Sequence, residues 1–237
     1  MRIAMWSGPR NLSTAMMYAF AARGDFAVWD EPFYAPYLRA TGIDHPMRDE
    51  ILGSHECDPA AVAARCAGPI PGKKPNFYMK HMAFHMLEGF PMGWAEGATH
   101  VHLIRHPARV VASYAAKRER PTLADIGFEA QAEIFARCPG PVIDSADIRQ
   151  DPEVALAALC AEIGLPFDRA MLSWPPGGHP EDGIWAAHWY GAVHRSTGFA
   201  GAEGPLPELD GAYADLARAA MPFYEAMSAR ALTFMWP

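Results

Sequence analysis

The chain has 237 residues, enough for one α/β domain with a well-buried core, and its length does not demand a second. Its 20 basic and 27 acidic residues give a formal charge of −7 without any Lys/Arg run, which argues against a general nucleic-acid binder but leaves room for an anionic ligand held by local arginines. No apolar run reaches membrane-spanning length, the N-terminus lacks a signal-peptide pattern, and neither the four cysteines nor the ten histidines have metal-site or disulfide-framework spacing, so the expectation is a reduced, metal-free, cytoplasmic protein with no membrane partner.

The first predicted unit runs from Arg2 to Phe20. Ile3, Ala4, Met5 and Trp6 form an apolar run with the length of a buried strand, and Ser7-Gly8-Pro9-Arg10 breaks it with turn residues. Asn11, Ser13 or Thr14 then caps a helix whose apolar residues include Leu12, Met16, Met17 and Phe20. A helix N-terminus carries unpaired N–H donors and the positive end of the dipole. With the fork of Arg10 beside it, this loop predicts an anion site suited to phosphate or sulfate oxygens. The loop is not the nucleotide-kinase G-x-x-x-x-G-K-[ST], because no Lys precedes Ser13 or Thr14 and the second Gly is missing.

Arg23-Gly24-Asp25 stops the helix, and Phe26 to Trp29 read as a second strand that ends at Asp30-Glu31-Pro32-Phe33-Tyr34. Pro32 predicts an extended Glu31, a carboxylate beside aromatics at the carboxyl end of a strand, where open α/β sheets put their ligands. From Tyr37 to Gly72 the signal weakens: Asp58-Pro59 opens a short helix to Ala67, and the tract reads as a lid or acceptor wall. Asn76 to Met79 enter a third strand that ends in Lys80-His81-Met82, with His85 about one helical turn on. A loop from Gly89 to Gly97 precedes a fourth strand reaching Ile104. Arg105-His106-Pro107 then turns into a helix from Ala108 to about Lys117, with Ser113 two turns in. The cluster Lys117-Arg118-Glu119-Arg120 reads as a solvated helix end, with a phosphate contact as the alternative.

Leu123 to Cys138 has helical spacing, Pro141 to Asp144 read as a fifth strand, and Asp151-Pro152-Glu153 opens an amphipathic helix through Ile163. Trp185, His188, Trp189 and Tyr190 read as core or as pocket wall, and Asp210 to Ala231 form a terminal helix that Pro222 kinks or divides. Strands alternating with helices predict a three-layer α/β fold with a central, mostly parallel sheet. It forms one domain over 1–237, with about 31–75 and 174–210 as insertions that shape the ligand sites.

Two of these units carry a family resemblance. Ser7-Gly8-Pro9-Arg10-Asn11-Leu12-Ser13-Thr14 resembles the 5′-phosphosulfate loop of sulfotransferases that use 3′-phosphoadenosine 5′-phosphosulfate (PAPS), where Lys or Arg follows Pro and a Ser/Thr pair opens the helix. Arg105 at a strand end, with Ser113 eight positions later, resembles that family's 3′-phosphate motif. The resemblance implies a P-loop NTPase-like fold, with Gly8, Pro9, Arg10, Asn11, Leu12, Ser13 and Thr14 around the phosphosulfate and Arg105 and Ser113 on the 3′-phosphate. It also implies a late loop, Arg195-Ser196-Thr197-Gly198, folding over the adenine and 3′-phosphate, although this departs from the commoner Arg-Lys-Gly form. Chemistry asks for a base to take the acceptor's proton and a cation on the leaving oxygen. The resemblance gives Arg10 and Lys80 to the leaving oxygen and offers Glu31 or His81 as the base, without choosing.

The implied reaction moves a sulfuryl group from PAPS to an acceptor hydroxyl on a small molecule or carbohydrate, leaving 3′-phosphoadenosine 5′-phosphate (PAP), without a metal. A small-molecule kinase and a non-catalytic module that binds adenosine bisphosphate are the alternatives. The acceptor and the oligomeric state are not legible.

Overall fold

The computed structural model describes residues 1–116 and 120–234. Five strands, β1 (Arg2–Ser7), β2 (Phe26–Asp30), β3 (Asn76–Met82), β4 (Thr99–Ile104) and β5 (Val142–Asp144), form one sheet in the order β2-β3-β1-β4-β5. Every strand pair is parallel, with Met5 opposite Lys80 and Ser7 opposite both Met82 and Leu103. The helices are α1 (Ser13–Ala22), α2 (Tyr34–Thr41), α3 (Arg48–Ser54), α4 (Pro59–Ala67), α5 (Pro107–Ala115), α6 (Leu123–Ile126), α7 (Phe128–Arg137), α8 (Ser145–Gln150), α9 (Pro152–Glu162), α10 (Ala186–Trp189) and α11 (Gly211–Ser228).

Side-chain alternation along the strands sorts the core into two layers. Ile3, Met5, Tyr78, Val101 and Leu103 pack against α1 and α9 on one face, while Ala4, Trp6, Phe77 and Met79 pack against α4 and α7 on the other. Met5, Trp6, Met16 and Phe20 are fully buried. Each such side chain contributes about 1.5–3 kcal/mol. The chain leaves β1 toward the β2 side and returns after β3 to build the β4–β5 side, so a switch point lies between β1 and β4. In parallel sheets that crevice is where ligands bind. At the far edge, Leu232 N donates to Val142 O at 2.8 Å and so covers β5.

Several expectations are corrected. The predicted helix from Leu123 to Cys138 divides at Gly127, whose φ is 69°. The break lets α7 begin against the first loop, since a Cβ on Gly127 would meet Phe84 Cδ1 at 3.0 Å and Pro9 Cδ at 3.6 Å. Tyr37 to Gly72 contains α2 and α3 as well as the expected α4, which Asp58 caps from Pro59 onward. Pro222 does not divide α11, which continues to Ser228. Glu31 is not extended: its φ is +42°. The helix that carries Ser113 is described to Ala115, and Lys117, Arg118 and Glu119 of the charged cluster lie outside the described residues.

Candidate active site

The loop after β1 is the floor of the site. Arg10 and Leu12 both take a φ of 64°, a left-handed backbone that costs roughly 1–2 kcal/mol per residue without glycine. Its supports are buried. Gln131 of α7 accepts from Gly8 N at 3.1 Å and donates to Leu103 O at 2.7 Å. Asn11 also donates to Leu103 O, at 3.1 Å. Asn11 is therefore a strut between β1 and β4 and not the expected cap, and no side chain caps α1. The N–H groups of the first turn, from Ser13 and Thr14 onward, are left to meet an outside anion.

Arg10 and Arg105 line one cavity of about 340 Å³, together with Ser13, Thr14 and Ser113. Arg10 Nε donates to Ser113 Oγ at 3.1 Å, and Arg105 Nη1 donates to Arg10 O at 2.8 Å. Burial, and then the charge of Arg105, lower the pKa of Arg10 from its ordinary value. Two adjacent cations held this way create a local field that favours an anion although the whole chain is acidic. Pro9, Asn11 and Leu12 also line the cavity, whereas Gly8 does not and serves packing: a Cβ there would meet Ile126 O at 3.0 Å.

The same cavity reaches a second group of residues at the ends of β2 and β3. Lys80, fully buried, donates to Asp30 Oδ1 and Glu31 Oε1 at 2.8 Å each and to the Tyr190 hydroxyl. An ammonium has three N–H groups, so all of its donors are engaged. Burial works to lower the Lys80 pKa, but the two carboxylates outweigh it and hold the lysine above its ordinary value. Burial raises Asp30, against the pull of Lys80. Tyr190, itself held by Trp185 Nε1 at 3.0 Å, lies 3.0 Å from Glu31 Oε1. The other oxygen, Glu31 Oε2, has His85 Nδ1 at 3.9 Å, beyond hydrogen-bond reach. His85 is buried, lies parallel to Tyr34 with ring centroids 4.6 Å apart, and has no hydrogen-bond partner at Nδ1. Its pKa is pushed well below the usual imidazole value by burial, then by His45 and Lys80.

Lys80 and His81 part company because successive strand residues face opposite sides of a sheet. His81 does not line the cavity. It stacks between Trp6 and Trp94, at centroid distances of 4.6 and 4.8 Å, in the opposite core layer. There burial first, with His100 and His85 after it, takes its pKa down to about 3. In the late loop, Ser196 and Gly198 line the cavity and Arg195 and Thr197 do not. Ser196 Oγ accepts from Trp174 Nε1 at 3.1 Å, and Trp174 N donates to Thr197 O. Gln131, Arg149 and the cavity-lining role of His85 escaped the sequence reading, whereas Tyr190, read there as core or pocket wall, is both buried and cavity-lining. Gln131 left one trace, a lone amide among apolar positions of a helix, whereas Arg149 left none because α8 was not foreseen.

Among the described residues, no group of three or more His, Cys, Asp or Glu side chains is arranged to hold a metal ion, and no helix is long and apolar enough to cross a membrane.

A family model described as a sulfotransferase domain matches residues 1–231. Branched-chain-amino-acid aminotransferase-like proteins 2 and 1 of Arabidopsis thaliana are 36% and 37% identical to the chain over 227 residues, 94% of its length, and the chain spans 40% of each of them. Among solved structures, the sulfotransferase domain from the Synechococcus PCC 7002 olefin synthase superposes with a TM-score of 0.52 at 18% identity, covering 98% of this chain and 96% of that one. The sulfotransferase domain from the curacin biosynthetic pathway gives 0.51 at 13% identity, covering 93% and 96%. At such identities the two structures speak to the fold alone.

Proposed function

Because the chain belongs to the sulfotransferase domain family and has its P-loop-like fold, we propose that it transfers a sulfuryl group from PAPS to the hydroxyl of a small-molecule or carbohydrate acceptor, leaving PAP. The observation that carries this reading is the meeting of Arg10 and Arg105 in one cavity, beside an uncapped helix N-terminus. Arg10 and the first-turn amides of α1 hold the 5′-phosphosulfate, with Ser13 and Thr14, and Arg105 and Ser113 hold the 3′-phosphate.

In the transfer, the acceptor oxygen forms a bond to sulfur as the bond from sulfur to the 5′-phosphate oxygen breaks. Negative charge gathers on that leaving oxygen, where preorganised donors lower the barrier most. Arg10 and the α1 amides supply them. Lys80 has no donor left for this role and instead orients Glu31. Glu31 is the base, because Lys80 and Tyr190 fix Oε1 and leave Oε2 open to the acceptor proton. His81 has no access to that proton from the opposite core layer. The acceptor lies against Tyr34, His85 and Trp189, a wall suited to an apolar or sugar-like body.

The test is movement of label from sulfur-labelled PAPS to a panel of hydroxyl compounds. Wild-type protein is expected to label at least one, and Glu31→Gln to lose about 10²-fold or more in turnover with PAP affinity nearly unchanged. PAP binding without transfer, and an unaltered Glu31→Gln, would leave the non-catalytic module. Protection from heating by Mg·ATP and not by PAP would instead revive the kinase.

A further inference from the structure

The cosubstrate reading, on which this inference rests, asks Arg105 and Ser113 to hold the remote phosphate, yet two more guanidinium groups converge there on one buried carboxylate. Arg105 Nη2 and Arg149 Nη1 both donate to Glu203 Oε1, the second at 2.8 Å, and Arg109 Nε lies 2.8 Å from Glu203 Oε2. The Glu203 side chain is 3% exposed and those of Arg105, Arg109 and Arg149 are 16%, 16% and 22% exposed. The backbone of the same segment is tied down too: Arg149 Nε donates to Gly201 O at 2.9 Å and Arg109 Nη2 donates to Gly204 O. Residues 201–204 have no helix or strand of their own, so these arginines are what fasten them.

The charge balance is unusual. Three guanidinium groups share this one carboxylate, and Arg10, whose carbonyl accepts from Arg105, stands next to them with its own side chain on Ser113. The neighbouring Asp144 carboxylate is engaged elsewhere, accepting from Ala146 N and the Tyr224 hydroxyl at 2.8 Å each. Three guanidinium groups around one point match a phosphate dianion, which carries about twice the charge of a carboxylate and more acceptor oxygens. Arg105 and Arg149 line the cavity. Arg109 and Glu203 do not line it, so a phosphate oxygen that approaches Arg105 from the cavity meets a guanidinium already engaged by Glu203.

We propose that Arg109 and Arg149 join Arg105 as the seat of the nucleotide's 3′-phosphate, and that Glu203 is an internal carboxylate filling this seat until the phosphate displaces it together with residues 201–204. The seat confers selectivity for adenosine carrying a 3′-phosphate, and the displaced segment opens the cavity as the nucleotide enters.

Calorimetric titration of PAP, AMP and inorganic phosphate into wild type and Glu203→Gln tests this. Removing the competing charge is expected to tighten PAP about tenfold, the scale of one charge-assisted hydrogen bond, and to create measurable phosphate binding while AMP stays unchanged. Arg149→Gln is expected to weaken PAP by a similar factor without affecting AMP. Unchanged or weaker PAP and phosphate binding in Glu203→Gln would overturn the seat, making Glu203 a permanent counter-ion while leaving the cosubstrate reading intact. Absence of PAP binding in every protein, with phosphate binding still gained in Glu203→Gln, would retract the cosubstrate reading and keep the seat. If Glu203→Gln fails to fold, an Arg149→Gln protein with wild-type PAP affinity overturns the proposal by itself.

Discussion

Lys80 is the residue on which the proposed catalytic carboxylate depends, because its three N–H groups hold the buried Asp30, Glu31 and Tyr190. Replacing it by Met would leave two carboxylates facing each other without their cation. Breaking a buried pair this way costs about 3–5 kcal/mol, so Lys80→Met is expected to lower the unfolding free energy by that amount in denaturant titration. His81 offers the opposite test. Burial holds its pKa near 3 in the folded protein, against an ordinary 6.5, so unfolding at intermediate pH takes up a proton. Its contribution to stability is complete above about pH 6.5 and is lost as pH falls toward 3. His102, depressed to about 4, acts in the same direction, as does His85. His81→Phe keeps the stack with Trp6 and Trp94 and removes a buried ring nitrogen that has no partner. Thermal melts from pH 7 to 4 should show a shallower loss in this variant, with transfer activity retained; an unchanged pH slope or lost activity would contradict the placement of His81. Strand alternation implies that Lys80 and His81 face opposite ways, yet the sequence reading kept both at the site because it weighed their place at a strand end and not their faces. The positive φ of Glu31 was not legible, because a following proline disfavours the helical region without dictating the left-handed one.

At the scale of elements, the strand-to-loop-to-helix units were readable because their signals are local: an apolar run sets β1, alternation sets β4, and Pro107 opens α5. The short helices α2, α3 and α8 were harder, since a piece of about two turns has little room for a periodic pattern and is held by tertiary contacts. Gln131 is the clearest case of a role that only the folded chain reveals, because it ties Gly8 to Leu103 across elements more than 90 positions apart in sequence. Gln131→Leu strands the buried Gly8 N–H. A loss of about 1–3 kcal/mol in stability is expected, with a larger fractional loss in PAP affinity than in AMP-independent folding probes such as far-ultraviolet ellipticity. Equal stability of the variant and wild type would show that the loop holds its left-handed residues unaided. Gly127→Ala is expected to act in the same direction, since its φ of 69° and the 3.0 Å approach to Phe84 both oppose a Cβ.

The whole molecule carries −7 formal charges, yet gathers Arg10, Arg105, Arg109 and Arg149 at the switch point between β1 and β4. The sequence foretold the first two guanidinium groups through their loops. Arg109 stood on the predicted helix after Pro107 without a role, Arg149 was hidden on an unforeseen helix, and Glu203 reaches the cluster only through tertiary folding. A cavity whose affinity rests on such charges is partly screened by salt, although less than an exposed patch would be. On the proposed function, one cavity grips both ends of a doubly phosphorylated adenosine. Thermal shift with PAP, ADP and AMP at matched concentration tests it most directly, because a ligand that binds only the folded state raises the melting temperature with the logarithm of its excess over Kd. A shift with PAP well above those with ADP and AMP is expected, and its collapse in Arg10→Ala and in Arg105→Ala alike. Equal shifts for the three nucleotides, or a PAP shift that survives either substitution, would contradict it.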